Sequence, residues 1–186
     1  NTGATLNFSN VPNTSTILAK STGATAGFLG AWATVGTGTS MTYASVDASA
    51  RIVTATTTAT NTSTTQLITG VASTSWSTDG TKSYQTTSLS TLTGATARSI
   101  NLYRSTNTGD LPLNLGDTLG SHFSVNGFMN TGTGVITILR GNAANNVVIG
   151  SAKDLVISGP TGVVISAPIV DNTGGASALT YAGTST

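Results

Sequence analysis

Carboxylates are the side chains through which this chain could do chemistry, and they are few. All 6 acidic residues are Asp, because the sequence contains no Glu. Asp110 and Asp117 flank the run LPLNLG, and two carboxylates on one surface could cleave a glycosidic bond as an acid and base pair. Turn residues beside a strand are the ordinary explanation of such a pair, and we adopt it. The sequence therefore predicts no catalytic residues and no enzyme.

The sequence does not support a metal site or a cofactor site either. His122 is the single histidine and there is no Cys, so a site with several imidazole or thiolate ligands cannot form. The pair Gly174-Gly175 lacks the rest of the G-G-x-G-x-D pattern of calcium-binding solenoids. The Gly-rich run 36–40 lacks the Lys of a phosphate-binding loop. We expect neither a metal ion nor a cofactor.

Aromatic side chains are the remaining candidates for recognition. They make up only 5% of the chain, so each is isolated in the sequence. An aromatic ring can stack on a sugar ring, or it can cover the flank of a fold and fill a contact between subunits. The candidates for a glycan or subunit contact are Trp32, Trp76, Tyr43 and Tyr181.

Charge is the unusual feature of the composition. Asp, Glu, Lys and Arg make up 7% of the residues, where about 25% is usual, and the formal net charge is +1. Without clustered Lys and Arg, neither nucleic acid nor an anionic membrane is an expected partner. No apolar run is long enough to predict a membrane-spanning helix. Weak charge repulsion favours self-association instead.

The stretch NVVIGSAKDLVISGPTGVVISA (146–167) carries the clearest fold signal. Ile149, Ile157 and Ile165 recur at a spacing of eight residues, each inside a short β-branched run. Thr, Val, Ile and Gly abound along the chain, which is typical of an all-β protein. The runs are continuously apolar, and Asn-Gly or Asp-Gly hairpin signals are few. We predict a parallel β-helix (a β-solenoid) with three strands in each coil of about 24 residues and roughly seven or eight coils. A β-sandwich is the alternative.

The pattern extends along residues 1–186, which predicts one β-solenoid module. Segment 54–66 is almost entirely Thr, Ala, Ser and Asn, and it is either a loop or a polar face of the module. Neither terminus shows an amphipathic cap of the kind that closes natural solenoids. Asn1 is not an initiator Met, so we expect a mature product or a piece excised from a longer chain.

A family resemblance comes from the last residues. ALTYAGTST (178–186), preceded by PIVDNTGGAS (168–177), resembles the start of an autotransporter-associated β-strand repeat. The chain keeps Leu179, Thr180, Gly183 and Thr184 of the repeat sequence and departs from it at Ser185. A second segment, GFLGAWATVGTGTSMTYASVD (27–47), is similar to one that precedes such repeats in secreted β-helical passenger proteins. The resemblance implies a right-handed parallel β-helix, secreted beyond the cell membrane, with no catalytic residues to carry over.

Two functional hypotheses follow. The first is a non-enzymatic, extracellular or cell-surface structural protein, a β-solenoid subunit that builds a filament or surface layer through strand pairing and apolar contacts. The alternative is an adhesin or autotransporter passenger fragment that binds glycans or surfaces. The two hypotheses differ in where recognition lies, because the first uses the ends and faces of the fold and the second needs a local aromatic site.

Overall fold

The computed structural model describes residues 3–9, 26–87, 91–92 and 96–183. The rest of the predicted 1–186 module, including Thr184 and Ser185, lies outside the described residues. Within the described ranges the chain is all-β, apart from two single-turn 3-10 segments at Gly38–Ser40 and Ser73–Ser75. Its parallel strands stack as a β-solenoid of about 6 turns. The predicted solenoid is therefore confirmed, and the β-sandwich alternative is not what the chain forms.

A nine-stranded parallel sheet supplies two sides of the column. The strands of its longer side, here called the long face, stack in the following order: β6 (Thr57–Thr58), β7 (Leu67–Ile68), β8 (Ser83–Thr86), β9 (Arg98–Ser105), β11 (Phe123–Asn130), β14 (Asp154–Gly159) and β17 (Ala178–Gly183). The first halves of β9 and β11 continue into a second side with β13 (Val147–Ile149) and β16 (Ile169–Val170). The third side consists of β10 (Leu111–Asn114), β12 (Ile136–Leu139) and β15 (Val163–Ile165).

The eight-residue spacing corresponds to the three sides of one turn. Ile149 lies on β13, Ile157 on β14 and Ile165 on β15. The first two are buried in the core of the column and Ile165 packs against it. Val147 pairs with Phe123 one rung away, which agrees with the predicted coil of about 24 residues. Repetition along the sequence therefore places similar side chains on top of each other.

The turns are shorter toward β6. Leu67 pairs with Thr57, Ser83 pairs with Leu67, and Tyr103 pairs with Tyr84, so successive turns lengthen along the chain. The Thr-rich segment 54–66 contains β6 and the loop that follows it, and its side chains are mostly exposed. This narrow, polar rung closes that end of the apolar interior. Among the described residues, β6 is the last strand of the parallel sheet on this side, and polar side chains surround it.

An antiparallel layer precedes the column and was not predicted. Its strands are β1 (Leu6–Phe8), β2 (Gly27–Phe28), β3 (Ala33–Val35), β4 (Thr42–Val46) and β5 (Ile52–Thr54). β4 pairs antiparallel with β2, β3 and β5, whereas β1 at the edge pairs parallel with β3. The β4–β5 reversal needs no Asn-Gly pair, because the Asp47 carboxylate accepts hydrogen bonds from the backbone N–H groups of Ser49 (2.8 Å) and Arg51 (2.9 Å). Because these residues form a layer, the column has about 6 turns rather than seven or eight.

The long face is buried on both of its sides. Tyr103, Phe128 and Ile157 point into the core of the column. Their neighbours Leu102, Met129 and Val156 point the other way and pack with Ala31 and Tyr43 of the antiparallel layer, together with Leu67. Burial of alternate residues on opposite sides explains why the run LVISG has no polar face.

The other two apolar runs have a different explanation. Val147 and Ile149 are buried, whereas Val148 between them is partly exposed. In β15 the central residue, Val164, is exposed. Burial therefore alternates along these two strands, as in strands with one exposed face, although their sequence is continuously apolar.

Aromatic rings fill the interior of the column at its middle rungs. The Trp76 ring lies 5.4 Å from the ring centroids of Tyr84 and Tyr103 and 5.7 Å from that of Phe123. Phe128 continues the cluster at 5.0 Å from Tyr103. Rings at these separations add attraction beyond the area that they bury. The cluster joins three consecutive rungs of the column.

A buried asparagine fixes one corner between turns. The Asn145 side-chain nitrogen donates to the carbonyl oxygens of Leu115 (3.1 Å), Gly116 (2.8 Å) and Thr118 (3.0 Å). Its side-chain oxygen accepts the backbone N–H of Gly120 at 3.2 Å. The amide therefore satisfies backbone groups of the preceding turn that the strands leave unpaired.

We predict that Trp76→Ala lowers the free energy of unfolding by about 3–5 kcal/mol, because it empties the centre of the aromatic cluster. The matched control is Trp32→Ala, since Trp32 is exposed, and its effect should stay within about 1 kcal/mol. Urea unfolding followed by far-UV circular dichroism measures both. Equal losses for the two variants would contradict a column held by its interior rings.

We predict that Asn145→Asp costs at least about 2 kcal/mol at neutral pH, because a carboxylate would face three carbonyl oxygens and could donate to none. Those oxygens raise the pKa of the new carboxyl above its unfolded value of about 3.9. The loss should therefore be smallest below about pH 4, where the group is protonated in both states, and should grow as the pH rises. Urea unfolding between pH 3 and 7 tests this, and a loss independent of pH would contradict it.

Candidate functional site

The four aromatic residues predicted to contact glycans or subunits divide into two pairs. Trp76 and Tyr43 are buried, so neither side chain reaches a surface. Trp32 is 41% exposed and Tyr181 is 56% exposed. Burial thus removes Trp76 and Tyr43 from the candidates, while for Trp32 and Tyr181 the contact stays a prediction.

Tyr43 joins the antiparallel layer to the column. Its hydroxyl donates to the backbone carbonyl oxygen of Tyr103 at 2.8 Å, and its ring packs edge-on against Phe28. Burial raises the pKa of the Tyr43 phenol well above its usual value, although the nearby Arg104 guanidinium opposes that shift. The hydroxyl therefore stays protonated and acts as a donor between the two layers.

Trp32 lies in the loop between β2 and β3, and its backbone carbonyl oxygen accepts the Leu6 N–H of β1 at 2.9 Å. Its indole rests against the backbone at Gly30, where a Cβ atom would lie 2.7 Å from Nε1 and 2.9 Å from Cδ1 of the ring. Gly30 also has a φ of +130°, which side chains disfavour. A glycine at this position therefore lets the indole lie against the main chain while much of it stays exposed.

A groove lies on each side of Trp32. The first has a volume of about 240 Å³ and runs between β1, Trp32 and the end of β14, with Leu6, Met41 and Pro160 among its walls. The second has a volume of about 360 Å³ and is walled by Leu29, Trp32, Asn101, Asn126 and Asp154 among others. Both grooves follow the line where the antiparallel layer meets the long face.

Polar groups line the second groove as a connected set. The Asn126 side-chain nitrogen donates to the side-chain oxygen of Asn101 at 3.0 Å, and the Asn126 oxygen accepts the Ala152 N–H at 2.9 Å. The Asp154 carboxylate accepts the Thr180 hydroxyl at 2.9 Å and the Gly3 N–H at 3.3 Å. These bonds hold two amides and one carboxylate in fixed orientations beside the indole.

The first groove contains a polar atom that lacks a partner. Ser158 is only 4% exposed, and its hydroxyl makes no hydrogen bond with any described residue. It lies on β14 two residues after Val156, on the side that faces the antiparallel layer. A buried hydroxyl without a partner is unfavourable and marks a place where a ligand group could be accommodated.

The two carboxylates first considered for catalysis have structural positions. Asp110 precedes β10, and its carboxylate accepts the Val135 N–H of the next rung at 2.8 Å. Asp117 follows β10 at the other end of the strand and is exposed. The strand separates the two, and the structure does not bring them together. No three His, Cys, Asp or Glu side chains form a possible metal cluster within the described ranges.

Asp79-Gly80 is an Asp-Gly pair that forms a corner rather than a hairpin. Its carboxylate accepts hydrogen bonds from the Ser77 hydroxyl (2.6 Å), the Thr81 hydroxyl (2.7 Å) and the Thr81 N–H (2.9 Å). These bonds, with that from Ser77 the strongest, lower the pKa of Asp79 to about 2. Asp79 therefore stabilises a turn between parallel strands.

The β17 rung leaves apolar core positions open. Leu179 pairs with Leu155 and Tyr181 pairs with Ile157, so both continue inward-facing positions of the column. Leu155 and Ile157 are 0% and 8% exposed, whereas Leu179 and Tyr181 are 54% and 56% exposed. We call β17 the open rung.

The sequence pointed to Trp32 as a candidate but not to the residues that line the grooves beside it. Asn101, Asn126 and Ser158 are far apart along the chain and carry no motif. Their proximity depends on parallel pairing and on the antiparallel layer. The one sequence signal was the run GFLGAW, in which Gly30 precedes an isolated Trp by two residues.

No part of the described chain forms a helix with the length and apolarity to cross a membrane. Comparison with known protein families, curated proteins and solved structures finds no match. The open rung and the grooves beside Trp32 are the surfaces of the described chain that bear on its function.

Proposed function

We propose that this chain is a non-enzymatic structural module of an extracellular filament or surface layer, which assembles through strand pairing and apolar contacts at its open rung. The observation that carries the proposal is the exposure of Leu179 and Tyr181 at positions that are buried one rung earlier. An apolar interior that is open at one end is favourably covered by a matching surface.

The backbone of the open rung also favours contact with another strand, because its outer edge has hydrogen-bonding groups to satisfy. Among the described residues β17 pairs only with β14, so its other edge presents N–H and C=O groups outward. An edge of this kind is a template for another strand. Strand pairing gives the contact its direction, and the apolar side chains add burial to it.

The occupant that fits the open rung is a second copy of the chain. Within the described residues, the opposite end of the column carries the polar turns of segment 54–66, so it offers no matching apolar surface there. Two open rungs can meet around a twofold axis, which pairs the two β17 strands antiparallel. This contact joins like ends and produces a double-length column.

Growth beyond a pair needs a second contact, and the third side of the column offers one. Leu139 on β12 and Val164 on β15 are exposed on its outer surface, where Val164 pairs with Thr137. Neighbouring side chains there are short and mostly uncharged, and the chain has 7 basic and 6 acidic residues in all. A flat sheet surface with little charge can approach a like surface without strong repulsion.

The extracellular location rests on different support. The resemblance to secreted β-helical passenger proteins implies export, and the proposal adopts that location. The low charge and the Thr-rich polar turns are in keeping with an exposed structural role, in which contacts between copies matter more than a chemical site.

We predict that the purified chain self-associates and that the double variant Leu179→Asp/Tyr181→Asp weakens the association at least about tenfold, because it places two charges in the apolar contact. Sedimentation velocity over a concentration series measures the effect. The control is Leu119→Asp, which adds a charge at an exposed leucine in the loop after β10. Monomers at every concentration, or equal association of the double variant, would contradict assembly through the open rung.

We predict that Val164→Lys leaves the pairing through the open rung intact but prevents larger assemblies, because it places like charges between two flat sheets. Negative-stain electron microscopy at high protein concentration separates pairs from filaments or layers. Leu119→Lys supplies the same change of side chain elsewhere and should assemble normally. Unchanged filaments in the Val164→Lys variant would exclude the third side as the lateral contact.

A further inference from the structure

We propose that the two grooves beside Trp32 form a binding site for a neutral carbohydrate, with one pyranose ring stacked on the indole. This site goes beyond the proposed structural role, since it uses the line between the antiparallel layer and the long face rather than the open rung. It would allow an assembled module to hold a polysaccharide along its flank.

The indole supplies an anchored stacking surface. One part of the ring lies against the main chain at Gly30, and 41% of the residue remains exposed. Contact with the backbone limits the movement of the ring, so stacking a ligand on it costs little additional ordering. The C–H groups of a pyranose face form an apolar surface that matches an aromatic ring.

The second groove supplies the hydrogen-bonding groups that sugar hydroxyls require. Asp154 accepts two hydrogen bonds within the described chain, whereas an ionised carboxylate has about four acceptor sites. The side-chain nitrogen of Asn101 makes no hydrogen bond with a described residue, and its oxygen accepts from Asn126. An unused acceptor and an unused donor beside an aromatic ring suit a hydroxyl group, which both donates and accepts.

The first groove adds a hydroxyl that is already buried. The Ser158 hydroxyl has no hydrogen-bond partner among the described residues, and it lines the groove with Asn7 and Thr34. A ligand hydroxyl in this groove would satisfy it without displacing an existing bond. Sugar units on the two sides of Trp32 would then belong to one oligosaccharide that passes over the ring.

The charges of the grooves select against other ligands. Neither groove is lined by Lys or Arg within the described residues, and the second contains the Asp154 carboxylate. Phosphates, nucleic acids and acidic sugars would find no cation there and would be repelled by Asp154. The volume of about 360 Å³ lies within the range of about 300–1,000 Å³ typical of small-molecule sites.

The test uses the two tryptophans of the intact chain, one exposed and one buried. The ¹⁵N–¹H signal of the Trp32 indole is followed by NMR while neutral hexasaccharides of glucose, mannose or N-acetylglucosamine are added. We expect saturable movement of the Trp32 signal with at least one of them and no movement of the Trp76 signal. A hexasaccharide of galacturonic acid and inorganic phosphate should leave both signals unchanged.

Two variants then assign the contacts by isothermal titration calorimetry. Trp32→Ala should weaken binding at least about tenfold through the lost stacking. Ser158→Ala should weaken it about threefold or more without loss of stability, because the hydroxyl has no partner in the free protein. The double variant Leu179→Asp/Tyr181→Asp is the control and should bind within about twofold of the unaltered chain.

Several results would overturn the site. The first is that the Trp32 signal does not move at about 10 mM of any neutral hexasaccharide. The second is that the acidic hexasaccharide binds as tightly as the neutral ones. The third is that the Trp32→Ala variant binds with unchanged affinity. Loss of binding in the Leu179→Asp/Tyr181→Asp control would place recognition at the open rung instead. Assembly and sugar binding are measured separately, so a result that contradicts one proposal does not contradict the other.

Discussion

Parallel pairing in register is the constraint on which the rest of this structure depends. Each rung sets the next in place, because backbone bonds fix which residues lie over each other and thus which side chains meet inside. Val147 lies over Phe123, and Tyr181 lies over Ile157. On the long face, an interior side chain is therefore covered more completely when rungs lie on both sides of it, as Ile157 and Tyr181 show. Each rung is stabilised by its contacts with the rungs on either side, so a rung with only one neighbour is less stable.

The same register gives the long face two apolar surfaces. Alternate residues of β9, β11 and β14 point away from the column, and Leu102, Met129 and Val156 need a cover of their own. The antiparallel layer supplies it through Ala31 and Tyr43. The grooves beside Trp32 lie along the line where the two layers meet. The grooves thus follow from covering a parallel sheet with an antiparallel one.

Part of this arrangement could be predicted from the sequence. Ile149, Ile157 and Ile165 predicted three-sided turns, because an interior position must recur once per side. The antiparallel layer could not be predicted by the same reasoning, since its reversal depends on the Asp47 carboxylate and on Ala50 at a φ of 59° rather than on an Asn-Gly pair. The roles of Trp76 and Tyr43 were also beyond the sequence, because an isolated aromatic residue looks the same in a core and on a surface. Trp32 and Ser158 meet only through the packing of the two layers.

The unequal lengths of the turns decide how such a column can associate. A column of identical turns has two equivalent ends, and copies can join head to tail without limit. Here the turns narrow from β14 toward β6, and the narrow end is polar, so the two ends differ in both size and chemistry. Only ends of the same kind match in cross-section. In the proposed assembly, contact through the open rung would therefore join two copies, and a larger assembly would use a side of the column, where the register leaves Leu139 and Val164 facing outward.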